Sequence, residues 1–166
     1  MVGSDLYNFI KKYGKRTNTL FGVELEPLIY FPYGFVKIDL PSLLNENNVD
    51  EIINLICDIK NISVKKIVDK EKISLTLWLI DELEAIGDLE KNYLSSQPEP
   101  ELIASGIDEL NIFGELNVID SLAGGDILKW EQVKKLPYHS VFDKLRKDNI
   151  ERKINKNYSK IISKKK

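Results

Sequence analysis

The chain has 166 residues, 43% hydrophobic and 30% charged, with 24 Lys+Arg against 26 Asp+Glu, one His and one Cys. That length suits a single globular domain able to bury roughly two-thirds of its unfolded surface, and the lone Cys57 excludes an internal disulfide framework. No apolar run reaches the roughly 18–20 residues that span a bilayer, and Met1 to Leu6 carries Asp5 and no basic-then-apolar block of a secretion signal.

Leu6, Phe9, Ile10 and Tyr13 follow i, i+3, i+4, i+7 spacing after a Ser4 N-cap, predicting a short helix closed by Gly14. Phe21, Val23 and Leu25 then alternate with polar positions. Leu28–Phe31 and Phe35–Leu40 flank a Pro32-Tyr33-Gly34 turn signal. This pattern predicts a small β-hairpin element near residues 20–40, with Pro27, Pro32 and Pro41 confining its strands to short lengths or edges. Its cluster of aromatics reads as compact core rather than a ligand-stacking platform. Asn48 with Glu51 forms a capping-box signature for a helix to about Lys60, lined by Val49, Ile52, Ile53, Ile56 and Ile59. Residues 62–68 fit either a third strand or an extended connection.

The second half reads as helical. Leu75, Trp78, Leu79, Leu83, Ile86, Leu89 and Tyr93 make a wide stripe over 74–94. Residues 95–100 end that helix, and a second long one follows through Leu102, Ile103, Ile107, Leu110 and Phe113, ending at Gly114. A short helix closes at Gly124-Gly125, and Asp126 caps another carrying Ile127, Trp130 and Val133. Pro137 opens the last helix, with Tyr138, Val141, Phe142 and Leu145 on one face. Beyond Leu145 the apolar positions become Ile150, Ile154, Tyr158 and Ile161 among many charges, an extension that would pack only on a partner.

Charge is unevenly placed. Residues 1–73 balance at 10 bases and 10 acids, residues 74–128 set Lys91 against 12 acids, and residues 129–166 set 13 bases against 4 acids. Blocks of opposite sign on one chain attract each other or partners of opposite sign. The acids Asp81, Glu84 and Asp88 share one helical face and form the expected acidic contact surface. Arg146, Arg152, Lys153, Lys156 and Lys160 form the expected basic one.

Reactive chemistry has little to stand on. His139 is the sole imidazole, in the first turn of a helix with no Ser or Cys motif beside it, and reads as a surface or capping residue. Cys57 reads as a buried small hydrophobe. There is no C-x-x-C, H-E-x-x-H or D-x-D-x-D-G pattern, and hard-cation sites need several converging oxygens, so the Asp81–Asp88 face reads as a contact surface rather than a metal site. Ala123-Gly124-Gly125-Asp126 resembles a phosphate loop, but the Walker pattern is missing and Asp126 would put a carboxylate where phosphate belongs. No cofactor is expected. The basic tail has only Tyr158 for base stacking, which favours a protein partner over nucleic acid.

Gly124-Gly125-Asp126-Ile127-Leu128-Lys129-Trp130-Glu131-Gln132-Val133-Lys134-Lys135-Leu136-Pro137-Tyr138, followed by Val141 and Phe142, resembles small virion and assembly proteins of tailed bacteriophages across residues 124–145. The Ile/Lys/Asn-rich composition is similar to that of AT-rich phages. The resemblance implies a non-enzymatic virion structural protein, a head–tail connector or ring component or a tail-assembly factor, made in the host cytoplasm. It implies packing faces rather than ligand residues. The expected fold is mainly α, with a globular domain over 1–145 and an extended basic C-terminal helical arm over 146–166. The expected partners are other copies of the chain, as a ring for example, and virion proteins such as portal or tail components, with no membrane. The alternatives are a nucleic-acid-binding or packaging accessory protein acting through the arm, and a tail-assembly chaperone.

Overall fold

The computed structural model describes residues 14–95 and 100–164. The expected helix over 4–13, residues 96–99 of the connection and the last two lysines lie outside the described residues. The fold is mainly helical, with one small two-stranded antiparallel hairpin and a long C-terminal helix.

The hairpin is the short pair β1 (Thr19–Leu20) and β2 (Val23–Glu24), with Leu20 opposite Val23. Its two turn residues, Phe21 at φ 52° and Gly22 at φ 85°, both take the positive φ that a type I′ turn requires. The runs on either side of Pro32-Tyr33-Gly34 are helical, not strands. Leu28–Tyr30 is a 3₁₀ turn, and Phe35–Asp39 is a π-helical turn that runs into α1 (Leu40–Asn45). Phe35, Val36 and Leu40 fall at i, i+1 and i+5 of this helical stretch and are all buried on one face, while Phe31 before it is extended and buried. Pro41 explains the widened turn: it has no N–H for the Lys37 carbonyl, and its ring would collide with that carbonyl in a regular α-helix.

α2 (Val49–Lys60) begins where Asn48 Oδ1 accepts the Glu51 N–H at 3.3 Å, and it buries Ile52, Ile53, Ile56 and Cys57. Residues 62–68 form an extended connection without strand pairing. α3 (Asp69–Tyr93) starts earlier than the apolar stripe suggests and buries Leu75, Leu79 and Ile86 in the core. The expected second long helix is two short pieces, α4 (Pro100–Ala104) and a 3₁₀ helix (Ile107–Phe113). The break falls at Gly106, whose φ of 82° cannot continue a right-handed helix. α5 (Leu116–Ala123) ends on Gly124 at φ 68°; Asp126 Oδ1 accepts the Leu128 N–H at 3.0 Å and starts a 3₁₀ turn (Ile127–Lys129) before α6 (Trp130–Lys134). α7 (Tyr138–Ser163) completes the chain.

One core joins these pieces: Leu28, Phe31, Phe35 and Val36 from the N-terminal third, Ile52 and Ile56 of α2, Leu75 and Leu79 of α3, Ile119 of α5 and Val141 of α7. Removing each such side chain from water contributes roughly 1.5–3 kcal/mol. Phe31, Tyr33 and Phe35 are all buried, as expected of core aromatics, while Tyr30 is half exposed.

Candidate interaction surfaces

Two Pro-Tyr segments meet where α7 begins. Phe31-Pro32-Tyr33 lies antiparallel to Leu136-Pro137-Tyr138, with Tyr33 N–H donating to Leu136 O at 2.8 Å and Tyr138 N–H donating to Phe31 O at 2.9 Å. Each proline precedes a helix and gives up no needed donor. The chains come so close that a Cβ on Gly34 would lie 3.0 Å from Lys134 Cβ. The two tyrosine rings stack at 6.2 Å between centroids.

Their hydroxyls enter a polar cluster built around Lys37. Lys37 Nζ lies 2.8 Å from Glu90 Oε2 and 3.3 Å from Glu115 Oε1. Tyr138 O–H donates to Glu90 at 2.9 Å, and Tyr33 O–H donates to Glu115. Burial and the two carboxylates push both phenols well above the usual tyrosine range. Burial works to lower Lys37, but the hydrogen bonds and charges of Glu90 and Glu115 outweigh it and the ammonium is held above its ordinary value. Every donor here meets an acceptor. The cluster ties the N-terminal third, α3, the start of α5 and the root of α7 into one unit.

His139 continues that root. Its Nδ1 is 3.2 Å from the Ile29 carbonyl, which can only accept, so Nδ1 donates there, and Nε2 lies 3.3 Å from Ser140 Oγ. Cys57 is buried in α2, where desolvation pushes its thiol up. Among the described residues no group of three His, Cys, Asp or Glu side chains converges as a metal site, and no helix is long and apolar enough to cross a membrane.

The acidic face of α3 is not one continuous free surface. Asp81 accepts Arg16 Nε at 2.6 Å, while Glu84 and Asp88 lie farther along the exposed side. The bases of the arm divide in the same way. Arg146 stacks over the Tyr93 ring at 4.6 Å, on the packed part of α7, whereas Arg152, Lys153, Lys156 and Lys160 lie beyond it and are exposed. Asn149 is the last buried residue, with its Nδ2 donating to Tyr93 O at 3.1 Å. From Ile150 to Lys164 every residue is exposed, including Ile150, Ile154, Tyr158 and Ile161 at 49%, 60%, 63% and 56%.

Two further surfaces emerge only in three dimensions. Leu110, Phe113, Leu116, Asp120 and Trp130 line a groove of about 330 Å³, with Trp130 Nε1 donating to Asp120 Oδ1 at 3.1 Å. Close in sequence to these lining residues, Ile112 and Leu128 are 82% and 85% exposed. On another face, Lys15, Lys65, Lys66 and Lys70 with Thr17 and Thr19 line a cleft of about 630 Å³. No family model matches the chain, and neither a curated protein nor a solved structure matches it.

Proposed function

We propose that this chain is a non-enzymatic assembly subunit that joins copies of itself and other virion proteins, as a head–tail connector, ring or tail-assembly component of a tailed bacteriophage. The phage setting rests on the resemblance over residues 124–145. The assembly role rests on one observation: the outer part of α7, residues 150–164, runs about 22 Å at 1.5 Å per residue with its apolar stripe exposed throughout. Isolated helices of this length are marginal in water. This one is continuous with a firmly rooted helix, and the Lys147–Glu151 pair at 2.8 Å staples the junction. A stripe of isoleucines flanked by Arg152, Lys153, Lys156 and Lys160 suits an acidic apolar surface on another subunit.

Sedimentation velocity on the full chain tests this. The expected result is concentration-dependent association at low salt that weakens at high salt and disappears on deleting residues 150–166. A salt-insensitive monomer that also fails to assemble with portal or neck protein would overturn it. A second reading, a nucleic-acid or packaging accessory protein, is favoured by the four-lysine cleft acting with the arm. It predicts steeply salt-dependent DNA binding in the same samples, and flat binding curves at low salt would end it.

A further inference from the structure

We infer that the α7 arm of one copy seats in the Leu110–Phe113–Trp130 groove of a second copy, making a head-to-tail contact. This rests on the assembly reading above and names the surface that receives the arm.

Three observations converge on that groove. The first is apolar exposure: the lining residues Leu110 and Phe113 are each 51% exposed, and Ile112 between them in sequence is 82% exposed, apolar surface of the kind that marks interaction sites. The second is charge. From Asn92 to Leu128 the sequence has no Lys or Arg and seven Asp/Glu. Of these, Asp108 and Glu109 are exposed on the 3₁₀ helix that carries Leu110 and Phe113, and Asp120 is fixed at the groove's lining by Trp130. The third is the arm itself, where Ile154, Tyr158 and Ile161 stand at i, i+4 and i+7 with Lys156 and Lys160 between them, the anchor spacing of a helix laid in a groove. Acidic apolar surface and basic apolar helix are complementary, and both belong to the same chain.

Arm and groove are both exposed within one chain, so neither covers the other there. The second copy is therefore the occupant that satisfies both surfaces at once. The contact joins two different surfaces, so each added subunit still presents one unused arm and one unused groove. Such contacts propagate until they close into a ring, or continue as a filament.

A mixing experiment tests the inference. An arm variant, Ile154→Asp with Tyr158→Asp, and a groove variant, Phe113→Asp, are each checked for unchanged thermal unfolding. Phe113→Ala serves if the aspartate disturbs the fold. Each variant alone is expected to associate at least 10-fold more weakly than the natural chain. Mixed in equal amounts they should form 1:1 dimers and nothing larger, because the mixture retains one intact arm and one intact groove. Normal association of the groove variant with loss in the arm variant would overturn the inference while leaving the assembly reading standing. Absence of dimers in the mixture would overturn the head-to-tail geometry. Monomeric behaviour of the natural chain itself would overturn the inference, and failure to assemble with portal or neck protein in addition would overturn the assembly reading as well.

Discussion

Along α7, residues 138–149 and 150–164 continue one helix into two different surroundings. The inner segment places Tyr138, Val141, Phe142 and Leu145 at i, i+3, i+4 and i+7, a straight stripe that fits the core. Its tyrosine reaches Glu90, its histidine holds the Ile29 carbonyl, and Asn149 closes the contact against Tyr93. The outer segment places Ile150, Ile154, Tyr158 and Ile161 at steps of four, four and three. Ile150 follows Leu145 by five residues, and at 3.6 residues per turn that step swings the stripe by about 140°, away from its own core. The comparison separates two uses of the same hydrophobic chemistry: packing where the spacing matches the fold, and display where it does not.

The strongest way to break the contrast is to place the same substitution type on both sides. Val141→Asp buries an unpaired carboxylate at a position 1% exposed and should destabilise the fold by about 4 kcal/mol or more, read by urea unfolding. A loss under about 1 kcal/mol would show that the inner segment is not anchored as described.

Alkaline pH attacks the root of α7 more gradually. Tyr33 and Tyr138 have folded-state values raised by burial and by the neighbouring glutamates. Their contribution is therefore complete below the unfolded tyrosine value near 10 and is lost as pH rises above it. Two phenols that stay protonated when folded should together cost about 2 kcal/mol between pH 10 and 11, at about 1 kcal/mol each, because an unfolded phenol is already half ionised at pH 10. Guanidinium unfolding at pH 9, 10 and 11 checks this. The fall should be about halved in Tyr138→Phe, and an equal fall in that variant would remove the phenol from the account.

The smallest effect on stability belongs to the arm. Ile154→Asp, at a position 60% exposed, should change unfolding by less than about 0.5 kcal/mol while weakening association. A large stability loss in dilute monomer would mean that the outer segment packs on its own chain.

Much of the candidate site was legible in the sequence. The opposite charge blocks, the change of apolar spacing after Leu145 and the helix opening at Pro137 all follow from residue type and short spacing. The receiving groove was not legible. Leu110 and Phe113 read as the buried face of a long helix, but the break at Gly106 turns them outward beside Leu116 and Trp130. The expected strands around Pro32 show the same limit. Two apolar, aromatic-rich runs about a Pro/Gly turn pointed to strands, whereas Phe35, Val36 and Leu40 lie on one buried helical face.

What the sequence determined by itself is what neighbouring residues settle between them: the Asn48 and Asp126 caps, the Gly124 stop, the helical periods and the charge layout. Those signals act within one helical turn, so they are present before the chain folds. The tertiary structure alone decided the pairing of Pro32 with Pro137 and the cluster joining Tyr33, Lys37, Glu90, Glu115 and Tyr138. Tyr33 and Glu115 stand 82 positions apart, and Tyr138 and Glu90 stand 48 apart. No local preference links residues at such separations. They meet because the core brings their helices together, and a partly buried lysine is then paired by both carboxylates.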